Sequence, residues 1–173
     1  YFEEKPGSVY VFERGSDGKW TETDRITSVT DFFISIDLEG DLLLVGESKG
    51  ARRQAGSATL YRRTSYGWEV LQRLRPSAPY DHGAFGTAVS LSGGRALVVG
   101  YDEQLGHSFN IDRVVYVFAE DPKTGRWKQS RVLDIGQVAF GASVDHDGIY
   151  AVIGRAAESV PGAAYVARLP VSQ

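Results

Sequence analysis

The stretch Phe85-Gly86-Thr87-Ala88-Val89-Ser90-Leu91-Ser92-Gly93, running on into Ala96-Leu97-Val98-Val99-Gly100, decides the reading of this chain because it recurs. One companion is Phe32-Phe33-Ile34-Ser35-Ile36-Asp37-Leu38-Glu39-Gly40 followed by Leu42-Leu43-Leu44-Val45-Gly46. The other is Phe140-Gly141-Ala142-Ser143-Val144-Asp145-His146-Asp147-Gly148 followed by Ala151-Val152-Ile153-Gly154. The leading phenylalanines lie 53 and 55 residues apart. Self-similarity at such a period marks a repeat architecture, in which one supersecondary unit is copied along the chain.

A second set of segments interleaves with the first: Gly7-Ser8-Val9-Tyr10-Val11-Phe12, Gly56-Ser57-Ala58-Thr59-Leu60-Tyr61, Arg113-Val114-Val115-Tyr116-Val117-Phe118 and Gly162-Ala163-Ala164-Tyr165-Val166-Ala167. The first three lead through turns into segments that begin at Trp20, Trp68 and Trp127. The turns, Gly15-Ser16-Asp17-Gly18-Lys19, Ser65-Tyr66-Gly67 and Lys123-Thr124-Gly125-Arg126, carry hairpin chemistry, since Gly and Asp accept positive φ. Every segment is short, rich in β-branched and aromatic residues, and bounded by Gly or Asp. No helical period runs uninterrupted by Gly.

Four hairpin-linked strands per repeat predict an all-β fold, a β-propeller built from four-stranded antiparallel blades. A sandwich would not repeat the same internal order. Phased this way, residues 1–31 supply strands 3 and 4 of a partial blade, at about 7–13 and 19–27. Residues 32–76 and 77–134 each make a complete blade, and 135–173 supply strands 1 to 3 of another. Two complete blades and two partial ones fall short of a ring, which needs at least about four four-stranded blades. The expectation is an arc of one propeller domain, not closed on its own.

The Phe85-Gly86 pair, the Val99-Gly100 strand end, and the Tyr-Val-Phe and Trp strands that follow resemble the FG-GAP repeat of integrin-α-like β-propellers. The resemblance spans nearly the whole chain. It departs at Phe33, where the repeat has glycine, and at Gly46-Glu47-Ser48, Gly100-Tyr101-Asp102 and Gly154-Arg155-Ala156, where its proline is lacking. The resemblance implies adhesion or protein recognition and an extracellular, secreted or periplasmic location. It also implies a Ca²⁺ loop between strands 1 and 2. Here those connections are tight hairpins, too short to wrap a cation that takes six to eight oxygens. Asp145-x-Asp147-Gly148 reads as a polar turn, so no cofactor and no metal is expected.

The three histidines, His82, His107 and His146, show no metal spacing, and Asp81-His82 has no Gly-x-Ser-x-Gly elbow to complete a triad. There is no cysteine, which removes thiolate chemistry and disulfides. No phosphate-binding glycine loop follows a strand. The chain is therefore expected not to be an enzyme. Two connections are candidate interaction loops: the basic one with Lys49, Arg52 and Arg53, and the acidic-aromatic 101–112 with Asp102, Glu103, His107 and Phe109. Both would emerge on one face, and loops on a rigid scaffold are where binding resides. The three tryptophans, at equivalent places, are expected to pack between blades.

The chain has 173 residues, a net charge of −3 and 42% hydrophobic residues, enough to fill a core. Neither half is basic, so no nucleic-acid partner is expected, and no apolar run predicts a transmembrane segment. The absence of Met is read as a chain that starts inside a longer one or has been processed. Glycine, 20 in number, exceeds the ~7% that is usual, and the repeat assigns it to hairpins and strand ends. The preferred functional reading is a non-catalytic protein-binding, adhesion or assembly module, with a protein partner or the remaining blades as its ligand. One alternative is the scaffold part of a propeller enzyme or carbohydrate-binding lectin whose site lies on other blades. The other is a processed subunit that completes a ring with another chain.

Overall fold

The computed structural model describes residues 7–27, 34–48, 55–78, 84–101, 113–134, 140–156 and 161–170. Among them the β-rich segments form β1 (Ser8–Arg14), β2 (Trp20–Thr27), β3 (Ile34–Glu39), β4 (Leu42–Glu47), β5 (Ser57–Thr64), β6 (Gly67–Leu74) and β7 (Val89–Ser92). They continue as β8 (Arg95–Tyr101), β9 (Arg113–Glu120), β10 (Trp127–Leu133), β11 (Phe140–His146), β12 (Tyr150–Arg155) and β13 (Ala163–Arg168). The described residues hold no helix, and the all-β expectation is borne out. The strands make four antiparallel sheets in chain order: β1-β2, β3-β4-β5-β6, β7-β8-β9-β10 and β11-β12-β13.

Alternation along the strands gives each sheet two apolar faces, and three cores form where consecutive sheets meet. Val9 and Ile26 of the first sheet meet Leu43, Val45, Tyr61 and Trp68 of the second. Leu44, Ala58, Leu60 and Leu74, on the opposite face of the second sheet, meet Phe85, Val98, Tyr116, Phe118 and Trp127 of the third. Leu97, Val99, Val115 and Val117, on the far face of the third, meet Phe140, Ile153 and Tyr165 of the fourth. Each sheet therefore has a preceding face, rich in aromatics, and a following face, built mainly of aliphatics.

The last strand of each of the first three sheets carries a β-bulge. The register slips past Thr23 in β2, Leu71 in β6 and Ser130 in β10, each the third residue after the Trp that begins the aromatic turn-in. Without the slip, a residue four beyond the Trp would share its face. With it, the Trp looks back at the preceding sheet while Asp24 and Gln72 look forward.

Three local expectations need correction. Phe85-Gly86 does not begin a regular strand: β7 starts at Val89, and Phe85 is tied by a parallel bridge to Gly56 of the second sheet. Gly100 is not the structural equivalent of Gly46 and Gly154. Those pair with Ala58 and Ala164, whereas Gly100 pairs with Val114 and Val99 takes the corresponding place. Trp20 does not pack between sheets: it is 67% exposed, because no described sheet lies before the first, while Trp127 is 3% exposed. Phe32 and Phe33 lie outside the described residues.

Candidate functional site

The two candidate loops join second to third strands, β4 to β5 and β8 to β9, so they leave their sheets at equivalent ends. Lys49, Arg52, Arg53, Asp102, Glu103, His107 and Phe109 themselves lie outside the described residues. The stems of these loops are described, and Phe85-Gly86 ties them together. The Phe85 amide donates to the Ala55 carbonyl at 2.8 Å, and the Gly86 amide donates to the Val99 carbonyl at 2.8 Å. Phe85 stacks edge-on against Tyr116 and Phe118, with ring centroids 5.4 and 6.0 Å away. Phe140 repeats the arrangement against Tyr165 at 5.6 Å.

Gly86 is needed for this junction. Its φ is +97°, and a methyl group there would overlap the Ser57 carbonyl oxygen and lie 2.9 Å from the Glu47 amide. Gly141, at φ +76°, admits the Val99 side chain in the same way. Beside the junction sits a group of buried and half-buried polar residues. Ser57 Oγ donates to Glu47 Oε2 at 2.9 Å, and Thr87 Oγ1 donates to the Ala84 carbonyl at 2.6 Å. Glu47 and Ser48, both buried, therefore form the root of the basic loop. At the other stem, the Arg113 guanidinium lies 5.8 Å from the Tyr101 ring centre.

At the opposite ends of the strands, side chains clasp the next sheet. Asp24 Oδ2 accepts the Trp68 amide at 2.9 Å. Gln72 grips both backbone polar groups of one residue, with Oε1 accepting the Trp127 amide at 3.0 Å and Nε2 donating to the Trp127 carbonyl at 2.7 Å. Asp37 Oδ2 accepts the Leu91 amide at 2.6 Å, and Arg95 donates to the carbonyls of Gly148 and Pro170 at 2.6 and 2.8 Å. These bonds satisfy backbone groups that sheet packing would otherwise strip of water.

His146 is a feature that the sequence concealed. Expected in or beside a turn, it ends β11 next to the hairpin, and what the sequence did not show is that it is only 8% exposed. Its Nδ1 accepts the Gly148 amide at 3.1 Å. Burial holds its pKa below the usual 6.5, against the opposing pull of Asp145 and Asp37. Asp147 uses its carboxylate to tie the hairpin, accepting the amides of Ile149 and Tyr150, and these bonds lower its pKa. His82 lies outside the described residues.

Two clefts open at the sheet junctions. One, of about 530 Å³, runs between Arg95, Glu120, Asp121, Lys128 and Pro170. The other, of about 380 Å³, lies between β6 and β10 and is lined by Arg73, Arg75, Phe118 and Trp127. Among the described residues, no three of Asp, Glu and His converge as a metal site would require. No helix of the described residues is long and apolar enough to cross a membrane.

The large apolar side chains left in solvent are the most informative surface. On the preceding face of the first sheet they are Tyr10, Phe12 and Trp20. On the following face of the fourth they are Tyr150, Val152 and Val166, the last 71% exposed. Ile36 and Leu38 are exposed in β3, opposite the place where the first sheet has no described strand. Comparison with protein-family models and with curated proteins finds no match.

Proposed function

We propose that the chain is an arc of an FG-GAP-like β-propeller and serves as a non-catalytic binding and assembly module. One observation carries this reading. Six large apolar residues exposed among the described ones, Tyr10, Phe12, Trp20, Tyr150, Val152 and Val166, lie on the two outermost sheet faces, while Trp127, Leu44 and Leu60, the inner-face counterparts of Trp20, Val152 and Val166, are buried against a neighbouring sheet. Patches of this kind mark surfaces that meet another macromolecule. The repeated order of strands, the bulge after each Trp and the Phe-Gly junctions favour blades of one ring. The segments 49–54 and 101–112 are the candidate ligand-recognising connections, supported by the tied stems at Ala55 and Val99, and an extracellular or periplasmic setting follows from the resemblance alone.

The test is binding of a hydrophobic fluorescent dye to the purified chain. Phe12→Ser with Trp20→Ser, and Val152→Ser with Val166→Ser, are each expected to remove a large part of the signal. A signal indifferent to both pairs refutes the reading of these faces as the unpartnered surfaces. An enzymatic activity abolished by one substitution in this chain would refute the non-catalytic part.

A further inference from the structure

The inner sheet junctions carry a charge arrangement that tells the outer faces what to accept. In β1, β5 and β9, one residue pairs across with the Trp of the strand that follows: Arg14 with Trp20, Arg63 with Trp68, Glu120 with Trp127. Alternation puts this residue on the preceding face, as it does the Trp. Its neighbour one step earlier, Glu13, Arg62 or Ala119, lies on the following face. At each junction, the earlier residue of one sheet meets the Trp-paired residue of the next. Glu13 is ion-paired with Arg63, and Arg62 with Glu120 at 4.0 Å. The sign reverses between these two junctions, yet each pair is complementary.

At the third junction the corresponding residues are Ala119 and Leu169, and no charge is involved. The register Gly154–Ala164, matching Gly46–Ala58, assigns Arg168 to the place of Glu13 and Arg62 on the open face of the fourth sheet. Arg168 is exposed there, beside Val166 and Val152. At the other open face, the Trp-paired residue is Arg14, also exposed. If one copy of the chain stacked its fourth sheet on the first sheet of another, apolar surfaces would match. Two guanidinium groups, however, would stand opposite each other where the inner junctions put opposite charges. Like charges so placed oppose docking and suppress wrong partners.

We propose that the open face of the fourth sheet docks an aromatic-faced β-sheet with a carboxylate opposite Arg168, and that the Arg168–Arg14 clash excludes a second copy of this chain. The proposal rests on the reading of the outer faces as docking surfaces. Val152 and Val166 occupy the positions of Leu44 and Leu60, which meet Phe85, Tyr116, Phe118 and Trp127, so the partner face is aromatic. The partner's acid stands where Glu120 stands opposite Arg62. By the same rule, the sheet that covers Tyr10, Phe12 and Trp20 carries its carboxylate opposite Arg14.

Charge reversal turns the chain into its own surrogate partner. Sedimentation equilibrium on the purified chain should show a monomer for the native sequence. Arg14→Glu and Arg168→Glu should each self-associate with a dissociation constant lowered by about tenfold, an effect that high salt removes. The double variant, with two acids opposed, should return to the native behaviour. Equal association of the native chain and both single variants, abolished by Val166→Asp, would overturn the charge rule while leaving the docking faces standing. No association of any variant at any salt concentration would overturn both.

Discussion

Replacing Gly86 by alanine places a methyl group against backbone in the junction between the second and third sheets. Two separate costs arise. A side chain at φ +97° gives up about 1–2 kcal/mol of backbone energy. The methyl also overlaps the Ser57 carbonyl oxygen and comes within 2.9 Å of the Glu47 amide and 3.1 Å of Gly46 Cα. All three neighbours are backbone atoms of the second sheet, so no side-chain rotation relieves the overlap. Forcing the sheets apart costs a further ~1–3 kcal/mol, as overpacked cores do. The expected loss is about 2–5 kcal/mol, a large fraction of the ~5–15 kcal/mol of a typical domain. Gly94→Ala is the control. Gly94 also has positive φ, +67°, but has nothing within 4 Å of an added Cβ, so only the backbone cost of about 1–2 kcal/mol applies. Urea unfolding followed by tryptophan fluorescence measures both. If Gly86→Ala is no more destabilising than Gly94→Ala, close contact is not why glycine stands at position 86.

Further outcomes follow from the clasps and from His146. Gln72→Ala leaves the backbone amide and carbonyl of Trp127 without their side-chain partner and should destabilise by about 2–4 kcal/mol. Gln72→Glu keeps the acceptor for the amide but opposes a carboxylate to the carbonyl, so its loss should be smaller and should shrink in acid. His146 is held below its usual pKa by burial, so the unfolded chain binds the proton first as pH falls. Stability should therefore be fully present above about pH 6.5 and decline as pH falls through the folded-state value, and His146→Gln should flatten that segment of the urea-midpoint profile. Asp147 contributes in a separate range. Its lowered pKa means its stabilisation is lost only below the ordinary value of 3.8, and Asp147→Asn should blunt the acid limb alone.

How far residues alone revealed the fold can be judged from particular places. The hairpin after β7 was legible because Gly93-Gly94 is a local signal, with both φ angles positive. The Trp strands were legible because their spacing repeats. The bulges at Thr23, Leu71 and Ser130 were not, since a one-residue slip leaves no mark in composition. The displacement of Gly100 was hidden for a similar reason: aligning glycines gave one register and pairing across β9 gave another. The clasp by Gln72 joins residues 55 apart in the sequence, and nothing local announces it.

By itself the sequence determined that this chain is all-β, that its strands come in a repeating order, and where its turns fall. Those properties depend on side-chain alternation and on backbone conformations that Gly and Asp accept, both of which act within a few residues. Only the tertiary structure decided what each apolar face meets. Trp20 and Trp127 read alike, yet one stands in solvent and the other is buried, because burial is conferred by the neighbouring sheet. The same holds for charge. Arg63 and Arg168 are each an ordinary surface residue until the stacking of sheets brings Glu13 to the first and leaves the second facing open solvent.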